Sequence, residues 1–216
     1  IVTRPSMLLG SLNMSPIEIN QLYIPIANKG VAEKSHAITR VVSGSGETLW
    51  QFQALEQQII STQAAYLLDF SLNKVTTSGT ARSLAWRLKD INLSGKTGTT
   101  NDLRDSWFVG YDNNLLVTTW IGRDDNKPTK LTGSSGALVL FAEFMHKNGA
   151  VSRRTQVPES IDLVRFDNKN GRPVTQNCDN SQMLPAVTTG LIYETACEEA
   201  PTKNKKKSWL EKLFGN

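Results

Sequence analysis

The sequence predicts an α+β fold in which helices cover an antiparallel sheet, followed by a small, mostly β appendage. Three observations carry this expectation. Capped segments with apolar residues at helical spacing flank a run of three strand-like segments joined by short turns. The chain has 216 residues, 39% hydrophobic and 20% charged, which is the balance of a folded protein able to bury a sizeable core. After Pro158 the helical periodicity gives way to short β-prone runs between Asn-, Asp- and Gly-rich turns. Helices kept apart from consecutive antiparallel strands make an α+β domain.

The first helix opens at Ser15-Pro16-Ile17-Glu18, a capping box with serine at N-cap, proline at the first helical position and glutamate at N3. Ile19, Leu22, Tyr23 and Ile26 continue it, Asn28-Lys29-Gly30 closes it, and Pro25 is expected to kink or split it. Residues 37–52 read as a hairpin, with Val41 and Val42 entering the turn Ser43-Gly44-Ser45-Gly46 and Leu49-Trp50-Gln51-Phe52 leaving it. A second helix spans 61–77. Ala64, Leu67, Leu68, Leu72 and Val75 draw its buried stripe, Ser71 falls on that stripe, and Gly79 is placed to end it. Strands at 91–99, 106–111 and 115–121 follow, the last two joined across Asp112-Asn113-Asn114. Ser134 or Ser135 is expected to cap a final helix through Ala137, Leu138, Phe141, Phe144 and Met145, with Asn148-Gly149 as its stop. In the appendage, 161–166 and 190–193 read as strands. The expected organisation is 1–150, then a β-rich 151–201, then a lysine-rich tail at 202–216.

Composition excludes several functions. Two histidines, His36 and His146, and two cysteines sit in no metal-binding spacing, so neither a metal nor another cofactor is expected. The net charge of +4 resides in Lys203, Lys205, Lys206, Lys207 and Lys212 of the tail, offset only by Glu211, and the preceding residues are neutral. A nucleic-acid-binding fold needs a basic face on its globular part, so nucleic acid is not an expected partner. No run of about 18 apolar residues is present to span a membrane. The opening residues lack the features of a signal peptide, and the chain starts at Ile1. It is read as a piece of a longer protein.

The segment with chemistry is Leu93-Ser94-Gly95-Lys96-Thr97-Gly98-Thr99-Thr100-Asn101. A phosphate-binding P-loop would need glycine where Asp90 stands and a helix after Thr97, yet strands follow. The other reading is Lys-Thr-Gly on an edge strand. Such a strand holds an extended peptide through backbone hydrogen bonds. Thr97 and Thr99 project from one face by the period of two, so both hydroxyls can reach one carboxylate. Gly98 has no side chain to hold a ligand's backbone away. Lys96 attracts the acid, although strict alternation puts it on the opposite face, and the Thr99 N–H can donate to a developing oxyanion. Three residues by themselves leave open a plain glycine bend in a surface strand.

The flanks narrow this. Gly79-Thr80-Ala81, Ser94-Gly95-Lys96-Thr97-Gly98-Thr99-Thr100, Asp105-Ser106-Trp107-Phe108-Val109-Gly110-Tyr111 and the stretches 4–18, 120–131 and 209–216 resemble the transpeptidase domain of class A penicillin-binding proteins. The likeness is dense over 1–149 and afterwards touches only the cysteines and the tail. It implies an incomplete penicillin-binding/β-lactamase-like fold and a D,D-transpeptidase within a bifunctional murein glycosyltransferase/transpeptidase. It assigns catalytic roles to Lys96 and Thr99 and substrate binding to Thr97, Gly98 and Thr99. Implied partners are peptidoglycan stem peptides, the lipid-linked precursor, β-lactams, and activator proteins of the outer membrane or divisome. The implied location is the periplasmic face of the bacterial inner membrane, reached through an N-terminal anchor upstream of Ile1. The alternatives are a related D,D-carboxypeptidase or β-lactamase-like hydrolase, or a non-catalytic binding fragment.

The family's order is Ser-x-x-Lys, Ser-x-Asn, then Lys-Thr-Gly. Ser71-Leu72-Asn73-Lys74 and Ser11-Leu12-Asn13 fit the first two patterns but stand in reversed order, so both are read as accidental and the nucleophile is expected upstream. The chain alone is then expected to be inactive. Cys178 and Cys197 would be independent thiols in a reducing compartment; the periplasm implied by the resemblance permits a disulfide, and a Cys178–Cys197 bridge is expected. Trp209, Leu210, Leu213 and Phe214 form a short apolar face among lysines, suited to docking on a membrane or partner groove and otherwise too short to hold a helix in water.

Overall fold

Ser15 opens the first helix, α1 (Pro16–Ala27), with a complete capping box: its hydroxyl accepts the Glu18 N–H, and the Glu18 carboxylate accepts the Ser15 N–H at 2.7 Å. Those bonds hold the Glu18 carboxyl below its ordinary range. The computed structural model describes residue 7, residue 10 and residues 12–195. Pro25 does not split α1, which runs unbroken through it. It lies in the last turn, where one missing N–H costs a single bond, and its carbonyl takes the Gly30 N–H at 2.6 Å.

Short strands β1 (Val31–Ala32) and β4 (Gln57–Gln58) pair with each other and enclose the expected hairpin of β2 (Arg40–Val42) and β3 (Thr48–Gln51). Helix α2 (Thr62–Thr77) is capped by the Ser61 hydroxyl, and the Ser78 and Gly79 N–H groups close it on the Lys74 carbonyl. Its inward face matches the expected stripe in part: Val75 packs against the apolar core, and Ala64, Leu67 and Leu72 are half-buried. Ala65, Asp69 and Thr76 are buried, Leu68 is 45% exposed and Ser71 is exposed. Hydrogen bonds explain the buried polar residues. Asn73 and Thr76 each donate to the Leu93 carbonyl at 2.7 Å, so the polar side of α2 faces the sheet.

A single turn, α3 (Leu84–Arg87), leads to the sheet of β5 (Ser94–Thr99), β6 (Ser106–Tyr111) and β7 (Leu116–Ile121), antiparallel in the order β5-β6-β7. One register line runs Thr97, Phe108, Thr119. The β6–β7 turn forms because one Asp112 carboxylate oxygen accepts the N–H groups of Asn114 and Leu115, both at 2.7 Å. Helix α4 (Ala137–Asn148) starts at Gly136 without a capping side chain of its own, so neither Ser134 nor Ser135 caps it. The cap comes from β6: the Ser106 hydroxyl accepts the Ala137 N–H and donates to the Thr132 carbonyl, each at 2.8 Å. Gly149, at φ 73, ends the helix in the left-handed conformation.

Phe108 packs edge-on against Phe141 of α4 at 4.8 Å, among buried Leu84, Leu88, Leu93, Leu138 and Met145. Each such side chain stabilises the fold by about 1.5–3 kcal/mol. On the other sheet face Asp69, 4% exposed, accepts Tyr111 Oη at 2.8 Å, Arg153 Nε at 2.8 Å and Thr155 Oγ1 at 3.0 Å. The chain divides between Pro158 and Glu159. Residues 151–158, which the sequence reading placed in the appendage, stay with the first unit through these bonds to Asp69.

In the second unit β8 (Ile161–Asp167) pairs antiparallel with β9 (Ser181–Val187). The partner strand is therefore 181–187, and 190–193 forms no strand. Pro185 disguises β9, but a two-stranded sheet leaves an outer edge where a missing N–H costs nothing. Cys178 is 8% exposed and not a free thiol. Cys197 and the 202–216 tail lie outside the described residues.

Candidate active site

Everything that positions Lys96 converges on the start of β5. Asn73 and Thr76 clamp the Leu93 carbonyl, and the Ser94 hydroxyl reaches the Asp69 carbonyl at 3.4 Å. Gly95 rests directly on the sheet's centre: a Cβ there would lie 2.7 Å from both the Phe108 ring and the Val109 carbonyl oxygen. The strand is thus held flat at the edge of its sheet. Its outer side has no partner strand among the described residues.

Four side chains or their absence define that edge. Lys96 is exposed, and its ammonium donates to the Thr97 carbonyl at 2.7 Å. The half-buried Thr97 hydroxyl lies 2.7 Å from the Thr80 hydroxyl. Thr99 is exposed, and its hydroxyl oxygen accepts the Gly133 N–H at 2.9 Å. Gly98 has a further reason to be glycine: a Cβ would stand 3.0 Å from Trp107 Cβ on the neighbouring strand. Gly133 is equally constrained, since its Cβ would meet the Gly98 carbonyl oxygen at 2.6 Å. Beyond Thr99 the strand is tied off by Asp105, whose carboxylate accepts the Thr100 hydroxyl at 2.8 Å and the Trp120 indole N–H at 3.0 Å.

An ammonium, two hydroxyls and a free strand edge suit a ligand with an extended backbone and an acidic end. A cavity of about 360 Å³ lies at the far end of the strand, lined by Thr100, Asp105, Trp107 and Trp120. Two others, about 480 and 330 Å³, flank Arg153 and are not lined by Lys96.

A sequence model of the penicillin binding protein transpeptidase domain matches residues 4–142. The chain belongs to the penicillin-binding protein transpeptidase family. It is 37% identical to penicillin-binding protein 1B of Vibrio cholerae over 97% of this chain and 26% of that protein. It is 38% identical to penicillin-binding protein 1B of Escherichia coli over 93% of this chain and 24% of that protein. The chain spans about a quarter of the length of these curated relatives. The fold is shared with the crystal structure of penicillin-binding protein 1A from Haemophilus influenzae, at a TM-score of 0.78 and 20% identity over 88% of this chain and 34% of that one.

As a transpeptidase-family chain it brings Lys96, Thr97, Gly98 and Thr99 together on one edge, while Ser71 and Lys74 of the stray Ser-x-x-Lys match are engaged within their own helix, and Leu12 and Asn13 of the other match line the cavity beyond Thr100. The Ser71 hydroxyl donates to the Leu67 carbonyl at 2.8 Å, and the Lys74 ammonium lies over the Phe70 ring at 5.2 Å. Asn13 is exposed, and Ser11 lies outside the described residues. Sequence reasoning missed Thr80 and Gly133 as neighbours of the edge. The flank Gly79-Thr80-Ala81 carried a signal for Thr80; nothing in the spacing pointed to Gly133.

Proposed function

We propose that this chain supplies the Lys-Thr-Gly wall of a serine-type D,D-transpeptidase whose nucleophile lies in preceding polypeptide. The carrying observation is the free edge of β5, with the Lys96 ammonium and the Thr97 and Thr99 hydroxyls along it. The donor is the D-Ala-D-Ala end of a peptidoglycan stem peptide. Its backbone adds to β5, and its carboxylate meets Lys96, Thr97 and Thr99. The serine oxygen bonds to the penultimate carbonyl carbon, and the carbon–nitrogen bond to terminal D-alanine breaks. The serine proton passes to the leaving amine. An amine of a second stem peptide then attacks the acyl ester and restores the serine. Lys96 stabilises the anionic groups in this exchange, and the Thr99 N–H donates to the oxyanion.

A β-lactam carries the equivalent carboxylate and acylates the same serine. The family and the share of the relatives' length covered here support a place in a bifunctional murein synthase at the periplasmic face of the inner membrane. A fluorescent penicillin tests the reading. In protein with a complete transpeptidase domain, Lys96→Ala should slow labelling at least about a hundredfold, while the 216-residue chain alone should take no label. Undiminished labelling of Lys96→Ala, or covalent label on the isolated chain that disappears with Ser71→Ala, would overturn it.

A further inference from the structure

We infer that Thr80 is a positioning residue for carboxylate recognition, setting the direction in which the Thr97 hydroxyl hydrogen points. This rests on the transpeptidase reading of β5. A threonine hydroxyl has one hydrogen to give and two lone pairs to receive with. The Thr80 and Thr97 oxygens are 2.7 Å apart, so one of them donates to the other. A carboxylate only accepts. Thr97 serves it only if its hydrogen is not spent on Thr80, which makes Thr80 the donor of the pair.

Thr99 shows the same arrangement with no ambiguity. Its hydroxyl oxygen receives the Gly133 N–H, a group that can only donate, which leaves the Thr99 hydrogen free. Both strand threonines thus receive a hydrogen bond at oxygen and present a hydrogen to the ligand. A hydroxyl that already accepts is the more polarised donor. The turn bearing Thr80 is built to hold it still. Ala81 is completely buried and donates its N–H to the Val75 carbonyl at 3.0 Å, while a Cβ at Gly79 would come within 2.8 Å of the Val75 backbone. Thr80 itself is exposed at the strand edge.

The test compares benzylpenicillin with its methyl ester, which lacks the charge, in protein bearing the complete transpeptidase domain. Thr80→Val keeps the size of the side chain and removes the donor. It should lower the acylation rate constant for the free acid about tenfold and leave that for the ester unchanged, while Thr80→Ser restores the free-acid rate. A structural role alone would slow both substrates together, and equal losses, or a Thr80→Ser variant as slow as Thr80→Val, would overturn the inference. If the unaltered protein is acylated by neither compound, the transpeptidase reading fails and this inference with it. If Thr97→Val loses the preference for the acid but Thr80→Val keeps it, only the role of Thr80 fails.

Discussion

Gly95 and Tyr111 show how single positions hold the sheet beneath Lys96. With Phe108 and the Val109 carbonyl 2.7 Å from any Cβ at position 95, Gly95→Ala forces the strand off its neighbour. Overpacking of this kind costs about 1–3 kcal/mol, and urea unfolding of the 216-residue chain should show a midpoint lowered accordingly. Tyr111 is 1% exposed and donates to Asp69; burial first, and then the Asp69 charge, push its hydroxyl far above the ordinary tyrosine value of about 10. The folded chain therefore keeps a proton that the unfolded chain releases above about pH 10. With fewer protons bound in the unfolded state, stability is whole below that value and falls as pH rises past it. Tyr111→Phe should remove this share of the alkaline loss, seen by comparing denaturant unfolding from about pH 9 to about pH 11. A slope unchanged by the substitution would contradict the assignment.

At the scale of elements, helix α4 depends on a strand for its start. Ser106 is fully buried, and its hydroxyl satisfies both the first N–H of α4 and the Thr132 carbonyl. Ser106→Ala strips both partners at once and should cost about 1–3 kcal/mol, measured by thermal unfolding. Helix α2 is tied to the residue before β5 by the Asn73 and Thr76 bonds to the Leu93 carbonyl, while Leu68 faces outward. Ser71 shares that outward side. Its hydroxyl is committed to its own helix, so Ser71→Ala should change penicillin labelling of a complete domain by less than about twofold, because surface substitutions rarely exceed about 0.5 kcal/mol.

At the scale of the whole chain, two units of unequal resources follow one another. The first has a continuous apolar core around Phe108 and Phe141. Within the second, the two-stranded sheet buries Ile161, Val164 and Val174, and such a small sheet is marginal without help. A Cys178–Cys197 disulfide is proposed as that help, contributing roughly 3 kcal/mol on the chain-entropy model. Dithiothreitol should then lower the unfolding temperature of the second unit, and the Cys178→Ser, Cys197→Ser pair should unfold at that lower temperature with or without reductant. An unchanged transition on reduction would refute the bridge.

Several features that depend on neighbours in the chain were legible in the sequence. The Ser15–Glu18 box, the Asp112 turn, the hairpin at 40–51, the three central strands and the Gly149 stop all arise from bonds between residues a few positions apart, or from alternation along one strand. The Lys96–Thr99 segment was legible for the same reason. What the tertiary structure decided concerns polar groups whose partners are remote in sequence. Hydrophobic periodicity drew the α2 stripe only in part, missing the buried Asp69 and Thr76 because their partners lie at Leu93, on β6 and in the 151–158 segment. It missed Ser106 as the cap of α4, and Thr80 and Gly133 as the residues that aim the two threonines. Spacing reports which side chains share a face; which hydrogen bond a buried or edge hydroxyl makes is fixed only when distant segments meet.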